Sequence, residues 1–154
     1  MTGRAGSVEI KINNVDAVIA ACSGADLIRA IKAGGQVIEN YAKINVEKTF
    51  SGKSKGGAGL GGSIKTVVSK ATDTDVDVDI GSGLVYARAQ ELGAIILPIY
   101  AKMLSWVADS GERIFANRVQ IPARPYLRPA VDEHKSEIGD AIGIQLKKGI
   151  EAVT

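Results

Sequence analysis

Cysteine and histidine are nearly missing from this 154-residue chain, with one of each. A lone Cys22 excludes an intrachain disulfide and the multi-cysteine metal sites. A lone His134 leaves carboxylates to build any metal set. No apolar run reaches about 18 residues and no basic-then-apolar leader precedes the first strand, so no membrane span and no signal peptide are expected. The product is expected to be made in the cytoplasm. A net charge of +2 says little globally, so local charge must carry any argument about partners. Proline is also scarce: there are four, and three of them stand in IPARPYLRPA (121–130), around Arg124, Tyr126 and Arg128. That spacing forbids a helix interior or a central strand there.

A hydrophobic content of 45% with 23% charged residues fits one globular domain over 1–154, large enough to bury a core. SVEIKI (7–12) alternates as a short strand, and 15–21 reads as a turn or two of helix. Ser23 and Asp26 suit a helix start. Leu27, Ile31, Ile38 and Ala42 then recur at helical spacing up to Lys43, with Gly34 and Gly35 marking a kink or a close approach by another backbone. FSGKSKGGAGLGG (50–62) reads as a mobile Gly/Lys-rich loop. Residues 63–71 and 74–81 read as two strands around a turn at Thr72 and Asp73. The second is strictly alternating, with Val76, Val78 and Ile80 on one face and Asp75, Asp77 and Asp79 on the other.

Leu84–Leu92 reads as a helix ending at Gly93, and 103–107 with 112–116 as a hairpin turning at Gly111. Arg128–Val153 reads as one closing helix with Pro129 in its first turn and a stripe of Ile138, Ile142, Leu146 and Ile150. The expected fold class is α+β: an antiparallel sheet packed with two main helices, one early and one C-terminal, plus the long loop.

Several motifs fail on their chemistry. SGKS (51–54) lacks the phosphate-loop glycine, Glu47 standing where it belongs. GAGLGG (57–62) resembles a dinucleotide fingerprint, but it follows a helix and leads into a strand, so no helix N-terminus would receive the phosphates. DTDVDVD lacks the glycine and glutamate of a calcium loop, since Ile80 and Tyr86 occupy those places counted from Asp75. No nucleophile elbow accompanies His134. No catalytic residue, cofactor or metal is expected, and the chain reads as a non-enzyme.

Charge is uneven in the middle. Six lysines between Lys43 and Lys70, among them Lys48, Lys53 and Lys55, face the single acid Glu47, and four aspartates follow from Asp73 to Asp79. This is either a solvated loop or a tether lying on a polyanion such as DNA, where lysine gives phosphate contact but no base reading. A non-specific nucleic-acid-binding module is therefore the alternative function.

The order of an early helix ending in Ala42 and Lys43, a Gly-rich loop, GSIK (62–65), YARAQELG (86–93) and IPARPYLRPA is similar to the tail-component family of long-tailed bacteriophages and prophages. Its members act at the head–tail neck in tail completion or joining. The similarity runs from about Val8 to Val153 and is most specific in the Ala-Arg-Pro-Tyr-Leu-Arg-Pro-Ala segment. Leu92 and Ala94 depart from the family's usual aromatic and threonine.

The resemblance implies a structural virion protein at the neck or tail end, with neighbouring neck and tail proteins as partners and no membrane. It also places a self-assembled ring on the tail axis, where Lys48, Lys53 and Lys55 could meet passing DNA. A globule of this length has a radius of gyration of about 15 Å and a diameter near 40 Å, so a ring of about six copies leaves a channel of similar width, enough for duplex DNA. Candidate subunit contacts are Arg124, Tyr126 and Arg128 on the proline-stiffened segment, with Glu91 or the Asp75, Asp77, Asp79 face supplying carboxylates. The internal alternative closes Arg124 on Glu91 of its own chain and uses Tyr126 and Leu127 to anchor the last helix.

Overall fold

The computed structural model describes residues 8–9, 24–50, 59–73 and 75–152. It is an α+β fold built on α1 (Gly24–Phe50). Leu27, Ala30, Ile31, Ile38, Ala42 and Val46 are all buried along it, a stripe wide enough to serve two layers at once. One side meets a three-stranded antiparallel sheet, the other the C-terminal helices. The two glycines read from the sequence sit where these layers come closest. A Cβ on Gly34 would stand 2.8 Å from the Ile142 side chain, and one on Gly35 would stand 2.5 Å from Thr66 Cγ2. The close neighbours are side chains of a C-terminal helix and of the sheet, not the other backbone that the sequence reading expected, and α1 continues through both glycines.

The sheet has the order β1 (Val8–Glu9), β3 (Val76–Ser82), β2 (Ile64–Ala71). The alternation of β3 sets the layer: Val76, Val78 and Ile80 are buried against α1, while Asp77 and Asp79 lie half-exposed on the reverse face. Strand β2 is an edge, and unpaired edge donors invite foreign strands. Glu39 of α1 blunts it by accepting the Thr66 N–H at 2.8 Å.

Three boundaries differ from the sequence reading. Helix α1 continues past Lys43 to Phe50, because Val46 keeps the buried spacing of Ile38 and Ala42. Leu60–Ser63, read as loop, is a short helix α2 whose Leu60 is buried. The strand and helical turns expected at 10–12 and 15–21, and the loop residues 51–58, lie outside the described residues.

The closing helix is the third difference, for it is two helices, α4 (Leu127–Asp132) and α5 (Lys135–Glu151). The break falls at His134, whose ring stacks on Tyr41 of α1 with centroids 3.3 Å apart. Glu137 ties the joint. It accepts the Tyr41 hydroxyl at 2.6 Å and lies 3.1 Å from His134 Nδ1. Along α5, Ile138 and Ile142 are buried and Leu146 packs partly on the core, while Ile150 is largely outside it. Gly149 touches Asp26 at one end and Tyr41 reaches Glu137 at the other, so α5 runs antiparallel to α1.

Between β3 and α4 in the sequence, α3 (Ala87–Leu92) leads into a chain excursion that leaves the body. It comprises β4 (Ala94–Ile96), β5 (Leu104–Val107), β6 (Arg113–Ala116) and β7 (Val119–Ile121). The strands β4 and β7 pair antiparallel, and so do β5 and β6, giving one ribbon within another. Gly111 turns the inner ribbon at φ 84°, as its position in the sequence implied.

Candidate functional site

The proline-rich connection closes the excursion and starts the last helices, and its placement depends on Glu91. A helix begins with four N–H groups that have no partner inside it. In α4 these belong to Tyr126, Leu127, Arg128 and residue 129. The Glu91 carboxylate accepts the first three, Tyr126 at 2.7 Å and Leu127 at 3.0 Å through Oε2 and Arg128 at 3.0 Å through Oε1. The fourth is Pro129, which has no N–H. One carboxylate and one proline therefore settle the whole N-terminus, although α4 has no side-chain cap of its own.

Glu91 is 8% exposed, the one charged residue of the core among the described residues. It meets backbone, not the Arg124 guanidinium that the internal pairing assumed. That guanidinium lies over the Phe50 ring, 5.5 Å from its centroid. The Arg124 backbone N–H donates to the Gln90 carbonyl at 2.7 Å, and Asn45 Nδ2 donates to the Tyr126 carbonyl at 3.1 Å. The ends of α1 and α3 thus hold the connection from both sides. Gly93 adds a third contact: its φ is 76°, and a Cβ there would stand 3.0 Å from Ile121 O and from Ala123 N.

The candidate contact residues separate into two groups. Glu91 and Tyr126 are inside the chain, where Tyr126 and Leu127 anchor the last helices as the internal alternative held. Arg124 is exposed on the connection and Arg128 on the first turn of α4. The Tyr126 hydroxyl is buried with no hydrogen-bond partner, and burial, aided by the Glu91 charge, pushes its pKa up to about 12. Asp77 and Asp79 stay on the outward sheet face, while Asp75 precedes β3 and pairs with Lys70, which raises the Lys70 pKa.

Of the lysines, Lys43 pairs with Glu39 at 2.6 Å, and Lys48 is exposed on the last turn of α1, not on a loop. Lys53 and Lys55 lie outside the described residues. Among the described residues no group of three or more His, Cys, Asp or Glu could hold a metal ion.

The sequence reading had the inner hairpin but missed the outer pair β4–β7 and the exposure of the whole excursion. No residue from Leu92 to Pro125 is buried. Directly opposed residues of a ribbon share a face. Trp106 lies opposite Ile114 on one face, while Phe115 is opposite Ser105 and Val107 opposite Arg113 on the other. Trp106 is 41% exposed and Phe115 56%, so both faces are apolar and neither packs into the body. The signal was present as adjacent apolar pairs within the strands: Ile95–Ile96, Trp106–Val107, Ile114–Phe115. Neighbours in a strand point to opposite faces, so such pairs cannot both reach a single core.

No protein-family model, curated protein or solved structure matches this chain.

Proposed function

We propose that this chain is a non-enzymatic structural subunit of a tailed bacteriophage or prophage, acting at the head–tail neck in joining or tail completion. It would work as one of about six copies in a ring around the DNA channel. The observation that carries an assembly role is the 92–125 excursion, in which apolar residues are exposed on both faces. A two-stranded ribbon is marginally stable alone in water, so a working form that covers this one is favoured.

The neck assignment rests on the similarity of IPARPYLRPA to the tail-component family. The geometry is compatible with that use: Glu91 and Gly93 fix the segment to the body and leave Arg124 and Arg128 outside. Its partners would be further copies, the adjoining neck and tail proteins, and DNA in passage. Among the described residues no helix is long and apolar enough to cross a membrane. The nucleic-acid-binding alternative is weakened because Lys43 and Lys70, two of its cations, already have acidic partners within the chain.

Electron microscopy of lysates from the parent phage with this gene disrupted tests the proposal. Filled heads beside unattached or malformed tails are expected. Intact, infectious particles would overturn it.

A further inference from the structure

We propose that the arm formed by residues 94–121 is the joint between copies of this chain, the tip of one arm seating on the stem of the next. The inference rests on the assembly reading above and names the surface that performs it.

Ten large apolar side chains between Ile95 and Phe115 are exposed. At roughly half exposure each they leave on the order of 1,000 Å² of surface uncovered, against about 300–600 Å² in the largest patch of a typical monomer. Shared between a tip joint and a stem joint, that is about 500 Å² per partner in each, before polar surface is added, against about 800 Å² in a standard stable interface. Interfaces this apolar belong to permanent assemblies, most of which are made of identical chains.

Charge along the arm then selects the occupant and its direction. The turn at the tip carries Asp109 and Glu112, whereas the junction between the two ribbons carries Lys102 and Arg118. Arg113 opens β6 beside Glu112, in the pair with Val107 next to the turn, so the tip keeps one net negative charge (two acids less one arginine). Mixed signs on one apolar arm give no continuous cationic track for a polyanion or an anionic bilayer. They do match a second arm set tip to stem, where each acidic turn meets a basic junction. Two different patches on every copy make a heterologous contact, and such contacts generate rings when the rotation closes.

The base of the arm is fitted for this load. Gly93 and Ala123 hold its two strands at close approach, and the Arg124-to-Gln90 hydrogen bond ties the returning strand to α3. The ribbon can therefore transmit a pull to the body through α3 and the Glu91 clamp.

The test is mass photometry and sedimentation velocity of the full chain at micromolar concentration, with charge-reversed variants. Wild type is expected to be oligomeric. A tip variant, Asp109→Lys with Glu112→Lys, and a stem variant, Lys102→Glu with Arg118→Glu, should each weaken self-association at least tenfold. Mixed in equal amounts, the two should recover it, since every reversed tip then finds a reversed stem. A chain carrying all four changes should assemble again, which separates lost contact from lost folding. A monomeric wild type, with or without binding to phosphatidylcholine vesicles, would overturn the inference, as would variants that remain oligomeric or a mixture that does not recover. Oligomers that survive the reversals leave the neck role intact and remove only this joint. Intact particles from the disrupted phage remove the neck role and leave the joint standing.

Discussion

Glu91 and Tyr126 stand thirty-five positions apart in sequence, yet the carboxylate of one receives the backbone N–H of the other at 2.7 Å inside the core. The same carboxylate holds Leu127 and Arg128, so the start of α4 is defined by a residue on a different helix. This joins the two ends of the arm: α3 enters it, the Pro-Arg connection leaves it, and Glu91 locks one to the other.

Replacing Glu91 by Gln keeps the shape but removes the charge and leaves one oxygen to serve three donors. Hydrogen bonds to a charged group contribute about 1.5–3 kcal/mol each, and a buried donor left alone costs about 1–3 kcal/mol. A loss of about 3 kcal/mol in urea unfolding is expected, with faster amide exchange at residues 126–128. A change below about 1 kcal/mol would mean that Glu91 does not hold α4.

Tyr126→Phe should act the other way. The hydroxyl is buried without a partner, so removing it is expected to stabilise the fold by about 1 kcal/mol. The pH dependence supplies a second readout. The pKa of Tyr126 is raised in the folded state from 10.0 to about 12 by burial and then by the Glu91 charge. Its contribution is therefore complete below about pH 10 and is lost as pH rises towards about 12. The hydrogen bond to Glu137 also raises the pKa of Tyr41, so the phenolate absorbance of folded protein should show two tyrosines titrating late. Tyr126→Phe should remove one of them and flatten the alkaline fall in stability.

What was legible in the sequence follows local period. The alternation of β3, the turn at Gly111 and the Ile138–Ile142 stripe each needed only a few neighbouring residues, and the structure has all three. Gly34 and Gly35 were legible as crowded positions because glycine inside a helix needs a reason, but the neighbours are the Ile142 and Thr66 side chains and not another backbone. The failures are tertiary. The break at His134 carries no glycine or proline and depends on Tyr41, more than ninety positions away. Leu60 turns helical in a glycine-rich stretch because it has a core to enter. Glu91 was legible as a charge in want of a partner, but its partner is backbone, which sequence pairing rules do not count.

Acid should loosen the molecule at two carboxylates. At Glu39 burial acts to raise the pKa, but hydrogen bonds from Lys43 and Thr66 outweigh it and the net shift is downward. The Tyr41 hydroxyl, followed by His134, lowers the pKa of Glu137. A lowered folded-state pKa gives stability that is present above the ordinary value of 4.5 and is lost as pH falls through the folded value. The urea midpoint is expected to decline below about pH 4.5. Glu39→Gln and Glu137→Gln should each reduce that decline, and an unchanged slope in both would contradict the assignment.

The glycines of α1 and α5 should respond oppositely to the same substitution. A methyl added at Gly139 or Gly143 would meet nothing within 4 Å, so alanine there gains helix propensity without a clash, about 0.5–1 kcal/mol each. Gly35→Ala gains the same propensity but drives its methyl to 2.5 Å from Thr66 Cγ2, and overpacking of this kind costs about 1–3 kcal/mol. Packing should win, and the variant should be less stable than wild type. Thr66→Ser removes the obstructing methyl. In a double-mutant cycle Gly35→Ala should therefore be less harmful in the Thr66→Ser background, by at least about 1 kcal/mol. Strict additivity would show that the helix and strand are not in contact at Gly35, and with it the reason for a glycine at that position would be lost.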